Sequence, residues 1–294
     1  MIRPPAVAGM FYAGTPAELR EEIRECFLSP LGPGRLPETA SDGKHALRGL
    51  MCPHAGYHYS GAAAAHAYAR LAEDGAPETV ILMGPNHRAI GAPIAVVASG
   101  AFKTPLGEVA VDTDVARALM AQSPVVREDE NAHLPEHSLE VQLPFLQTVA
   151  PQASIVPIVF GRVFYDRETL RYLQDMAEAL AGLLNDRDHR RLLLASTDLM
   201  HYVPRDEAYR MDEMALQAVR DVDGERLLDV VFRYDISMCG VMPTATMLFA
   251  LRRLGITRGE VLCHYTSGDV PGGDTRHVVG YASCAFYATA QDGD

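Results

Sequence analysis

Leu47-Arg48-Gly49-Leu50-Met51-Cys52 runs directly into Pro53-His54-Ala55-Gly56-Tyr57-His58-Tyr59-Ser60-Gly61, and then into the alanine-rich stretch 62–72. The first run reads as a buried strand, the Pro/Gly/His segment as a loop and the alanine stretch as a helix. The same succession recurs along the chain. Strand patterns lie at 79–83, 94–98, 154–160 and 191–196, and helical patterns at 113–121, 139–149 and 167–184. Helices follow at 205–222, 224–232 and 243–254, and two alternating segments, 261–265 and 278–288, close the chain. Strands separated by helices predict an α/β fold with a mostly parallel sheet. A hairpin at 102–111, turning at Pro105-Leu106-Gly107, and the closing strands predict antiparallel additions, hence a mixed sheet. The Pro- and Gly-rich stretch 31–47 reads as a loop too near the N-terminus to divide two domains.

Composition narrows the function. Of 294 residues, 26 are Lys or Arg and 38 Asp or Glu, a net charge of −12 that disfavours phosphate-rich partners such as nucleic acid or an anionic membrane. A chain 48% hydrophobic and 22% charged is not disordered. The chain shows no stretch of about 18 apolar residues, so no membrane span is expected. The segment from Met1 to Tyr12 faintly imitates a signal peptide, but Pro4, Pro5 and Gly9 interrupt it. Five widely spaced Cys without a CxxC pattern point to a reducing cytoplasm rather than a disulfide framework. Eleven His beside no Trp mark imidazole as the place to look for chemistry.

Four polar clusters fall where strands give way to loops, the usual place for ligands in α/β sheets. They are Pro53-His54-Ala55-Gly56-Tyr57, Gly84-Pro85-Asn86-His87, Ser196-Thr197-Asp198-Leu199-Met200-His201-Tyr202 and Ser237-Met238-Cys239-Gly240. His54 and His58 are four apart, but Gly56 and the two Tyr argue against a helix there and so against a helical metal pair. Pro135 argues likewise for His133 and His137. Glu136-His137-Ser138 precedes a helix, which makes Ser138 an N-cap candidate and leaves His137 within reach of a site. Cys239, at the approach to a helix, is expected to have a lowered thiol pKa and to serve as ligand or nucleophile; its plain alternative is a small buried hydrophobe. Cys52, Cys263 and Cys284 sit in strand patterns and take that plain reading. Asp198, three residues before His201, is placed to orient that imidazole as an acid/base. The common hydrolase and nucleotide motifs are absent.

Together these segments resemble the Memo-like family, also called AmmeMemoRadiSam system protein B. The resemblance rests on Arg3-Pro4-Pro5-Ala6-Val7-Ala8-Gly9-Met10-Phe11-Tyr12, the His54 and His87 clusters, Glu136-His137-Ser138-Leu139-Glu140, the Asp198 to Tyr202 cluster and Cys239-Gly240. It implies one α/β/α domain over 1–294, similar in fold to the class III extradiol ring-cleaving dioxygenases. Those enzymes hold Fe(II) with two His and a Glu. The likeness makes His54 and His87 ligands, with Cys239 where the Glu would stand, and His201 the acid/base beside Asp198. His137, Tyr57 and Asn86 are expected in the pocket. A thiolate donor suits iron, copper or zinc and puts ring cleavage in doubt.

The leading expectation is therefore metal-dependent redox chemistry on a small molecule, in the cytoplasm. A second is a metal- or peptide-binding interaction module, linked through the family to a radical-SAM protein. A third is a hydrolase using zinc-activated water or Cys239 as nucleophile.

Overall fold

The structure is a computed structural model that describes residues 1–161, 165–186 and 188–288. The chain runs β1 (Ile2–Arg3), α1 (Pro16–Leu28), β2 (Leu47–Cys52), α2 (Tyr57–Asp74), β3 (Thr79–Pro85), β4 (Ile94–Val96), β5 (Ala101–Thr104), β6 (Gly107–Ala110), α3 (Thr113–Gln122) and β7 (Arg127–Glu128). It continues through α4 (Leu143–Val149), β8 (Ser154–Phe160), α5 (Arg167–Leu184), β9 (Arg191–Ser196), β10 (His201–Val203), α6 (Arg205–Arg220), α7 (Gly224–Arg233), α8 (Val241–Arg253), β11 (Glu260–Thr266) and β12 (Val278–Tyr287). Short 3-10 turns lie at Glu130–Ala132 and Glu140–Gln142.

The main sheet has the order β10-β12-β2-β9-β3-β8-β4-β7, with β11 also on β12. Its centre, β2-β9-β3-β8, is parallel; β12 and β4 join antiparallel on either side. The strands are apolar on both faces, and alternate residues serve different cores. Met51, Ile81, Met83, Val156, Ile158 and Leu193 pack with residues of α3, α5, α6, α7 and α8. Leu50, Leu82, Ile155, Leu192 and Leu194 pack with residues of α1, α2 and α4. Helices therefore cover both faces, giving three layers. Each fully buried Leu or Ile contributes about 1.5–3 kcal/mol, so both helix layers are held chiefly by burial.

Helix α1 is N-capped by Thr15. Thr15 accepts from the Glu18 N–H at 3.4 Å and its hydroxyl donates to the Glu18 carboxylate at 2.6 Å. Helix α2 begins at Tyr57, so His58 and Tyr59 are helical, contrary to expectation; Gly56 stands at its N-cap. The expected hairpin forms, but in a separate sheet of order β1-β5-β6. No helix among the described residues is long and apolar enough to cross a membrane.

Candidate metal centre

The loops after β2 and β3 and the irregular segment between the two 3-10 turns bring three imidazoles together. One ligand atom each from His54, His87 and His137 lies within 4.8 Å of the others. Ring centroids stand 5.2 Å apart for His54 and His87, 5.7 Å for His54 and His137, and 4.6 Å for the stacked His87 and His137. His54 is buried, His137 half-buried and His87 exposed, so the group opens to solvent on the His87 side. His58, by contrast, is an exposed residue of α2, while His54 precedes that helix; the four-residue spacing never places them on one helix face.

Hydrogen bonds fix which nitrogen of His54 is free. Pro53 O can only accept, which orients the Gln142 amide so that its Nε2 donates to Pro53 O at 2.8 Å and to Ser196 Oγ at 2.9 Å. The Ser196 hydroxyl proton goes to Ser138 O at 2.7 Å. His54 Nδ1, 2.9 Å from the same Oγ, must then be the donor, which leaves a lone pair on Nε2.

Glu136 does the same for His87. Its carboxylate is almost fully buried and accepts from His87 Nδ1 at 2.9 Å, His87 N at 2.5 Å, and the N–H groups of His137 and Ser138, each at 2.8 Å. Burial raises this carboxyl, but the hydrogen bond and charge from His87, the His137 charge and the Ser138 N–H outweigh it and bring it down to about 2. An ionised carboxylate only accepts, so His87 also presents a free Nε2. His137 Nδ1 stands 3.4 Å from the same oxygen. One carboxylate thus fixes the His87 ring by a hydrogen bond and holds the backbone of His137, whose ring stacks on that of His87. Burial holds His54 well below the ordinary histidine range and His137 down at about 4, so both are neutral donors at neutral pH.

Cys239 adjoins this group through His54, with Sγ 3.3 Å from Nε2. The Asp198 N–H also donates to Sγ, at 3.2 Å. The expected lowering of its thiol pKa is overturned: burial, with the Asp198 carboxylate adding to it, pushes the thiol up, even though α8 begins at Val241, two residues earlier than the sequence pattern indicates. Gly240 is there for close approach, since a Cβ would lie 2.4 Å from Ser196 O. Gly84 acts likewise: its Cβ would meet Ser138 Oγ and Leu139 Cδ2, both at 2.8 Å.

The other expected residues sit nearby with altered roles. Asp198, buried, accepts from the His54 N–H at 2.8 Å and makes no hydrogen bond to His201; it braces the ligand loop instead. Burial raises its carboxyl. His201 opens β10, which pairs with β12; its ring stays within electrostatic reach of Asp198 and His54, and its Nδ1 is buried without a partner. Tyr57, expected in the pocket, is instead buried in the core against Tyr12 and Phe145, and its hydroxyl donates to Val141 O at 2.7 Å. Asn86 spends its amide inside the His87 loop, on Ile90 O at 2.7 Å and the Arg88 N–H at 3.1 Å. Ser138 caps no helix; its hydroxyl donates to Pro85 O at 2.7 Å. Sequence reasoning gave no role to Glu136, Ser196 or Gln142. The only local signal was Glu136 beside His137 and Ser196 beside Asp198, in motifs whose roles depend on distant partners.

The donor set suits a metal ion. It is a group of three imidazoles, two of them held by partners on their Nδ1 atoms, with the orphaned buried Nδ1 of His201 nearby. A family model described as "Memo-like protein" matches residues 3–285. A MEMO1 family protein of Methanopyrus kandleri is 45% identical over 287 residues, covering 97% of this chain and 99% of the relative. MEMO1 family proteins of Ignicoccus hospitalis (44%; 97% and 99% covered) and Methanobrevibacter smithii (40%; 97% and 100%) are similar. Among solved structures, an uncharacterized protein of Escherichia coli K12 has a TM-score of 0.49 at 14% identity, over 80% of this chain and 99% of that one.

Proposed function

The chain belongs to the Memo-like family, and from that premise we propose a mononuclear metal centre that performs redox chemistry on a small molecule. His54 and His87 hold the ion through Nε2, with Cys239 as the sulfur donor. His137 lines the same face. The observation that carries this reading is the pair of fixed tautomers: Ser196 and Glu136 occupy the Nδ1 atoms of His54 and His87 and leave both Nε2 atoms free. Two imidazoles and a thiol favour iron or copper, with zinc also accommodated.

The bound ion supplies Lewis acidity and, if iron or copper, one-electron chemistry. The residues do the rest. Glu136 and Ser196 keep the imidazoles oriented, and the Asp198 carboxylate holds the His54 backbone. His201 Nδ1, unpartnered, is the atom available to take or give a proton. The five free cysteines suit a reducing compartment such as the cytoplasm. One domain spanning 1–294 is part of the same reading.

Elemental analysis of protein purified without added metal tests the proposal, alongside His54→Ala and His87→Ala. Close to one metal per chain, lost in both variants, supports it. A parent that holds no metal even after reconstitution refutes it.

A further inference from the structure

The chain's first dozen residues are bound into the loops that carry the histidines. The Arg3 side chain is 1% exposed and Glu140 is fully buried. Arg3 Nε donates to His133 O at 2.9 Å, and Nη2 reaches Leu134 O at 3.4 Å and, more closely, Glu136 O. Nη1 donates to Glu140 Oε2 at 2.5 Å. Three carbonyls of one irregular turn thus converge on one guanidinium, a fork that a Lys ammonium could not reproduce. That turn carries Glu136 and His137.

Glu140 returns the tie to the N-terminal segment. Its oxygens accept from Ala6 N at 2.6 Å, Val7 N at 3.0 Å and Tyr12 Oη at 2.6 Å. Beyond that anchor, Phe11 O accepts from the Tyr57 N–H at 2.7 Å, just after the His54 loop, and the Phe11 ring stands edge-on to His137 with centroids 4.8 Å apart. The strap therefore touches the loops of two of the three clustered histidines, and acts on the third, His87, through Glu136.

We infer that Arg3 is a positioning residue for the metal centre: paired with Glu140, it sets the turn that places Glu136 and His137. The inference rests on the metal-centre reading above. A buried ion pair of this kind is weak evidence for stability alone, because desolvation offsets its attraction; what it specifies here is the geometry of one turn.

The test loads the parent, Arg3→Lys and Arg3→Gln with Co(II) and reads three things: affinity against a competing chelator, the visible absorption of the bound ion, and the melting curve by circular dichroism. Arg3→Gln is expected to weaken Co(II) binding about ten-fold, in the range seen for outer-shell partners, and to alter the absorption bands. Arg3→Lys, which keeps the charge without the fork, is expected to fall between, with partial recovery of the bands. A purely structural role would lower the melting temperature and leave affinity and bands as in the parent, and that result overturns the inference. Should Arg3→Gln fail to fold, Arg3→Lys decides by the same criteria. A parent that takes up no Co(II) refutes the metal centre itself, and this inference with it.

Discussion

Replacing Glu136 by Gln changes one atom and should damage both the fold and the site. The carboxylate accepts four hydrogen bonds: His87 Nδ1, His137 N and Ser138 N on Oε1, and His87 N on Oε2 at 2.5 Å. Glutamine can keep the first three on its carbonyl. Its NH₂ must then face the His87 N–H, donor against donor. One charge-assisted bond is lost, about 1.5–3 kcal/mol, and a buried N–H is stranded, about 1–3 kcal/mol. The depressed carboxyl points the same way, because hydrogen bonds to the carboxylate favour its ionised form. We therefore expect Glu136→Gln to lose about 3–5 kcal/mol in urea unfolding at pH 7. Because the folded pKa is depressed, the contribution is present above the unfolded value and lost as pH falls from 4.5 towards 2. The gap between parent and variant should close over that window. Metal affinity, read by chelator competition, should fall about 10–100-fold as His87 loses its orientation. A variant with a stability loss under about 1 kcal/mol and unchanged affinity would refute the reasoning.

Other expectations are more compact. The metal-free chain should lose stability steeply as pH falls from 6.5 towards 4, because burial keeps His54, His133 and His137 neutral in the fold, the last two down to about 4, while the unfolded chain takes up their protons. Three extra protons on the unfolded state give a slope of about 4 kcal/mol per pH unit near pH 5, measurable by urea unfolding across that range. Ser196→Ala removes the acceptor that fixes the His54 tautomer and should weaken Co(II) binding about ten-fold, read by chelator competition. Gly240→Ala drives a methyl against Ser196 O and should destabilise by about 1–3 kcal/mol in the same unfolding assay.

The strand-to-loop-to-helix order was legible because apolar runs such as Ser154–Phe160 and Arg191–Ser196 carry their own signal; both strands have the predicted bounds. Strands such as β1, β7 and β10 were not legible. Each is two or three residues long and exists only through its pairing partner. The loops that approach the centre were legible in the same way, from His, Gly and Pro after strands. The supports were not. Glu136 reaches His87 across 49 positions and Ser196 reaches His54 across 142, and no local pattern encodes such contacts. The Cys239 pKa was misjudged because proximity to a helix is a local cue, whereas burial and the facing Asp198 carboxylate are set by the fold.

X-ray absorption and anomalous diffraction on natively purified protein, across the iron, copper and zinc edges, test the metal centre most directly. The expected result is one ion per chain with nitrogen scatterers from His54 and His87 and a sulfur scatterer from Cys239. An ion bound away from these residues, or a site that stays empty after reconstitution, would contradict it.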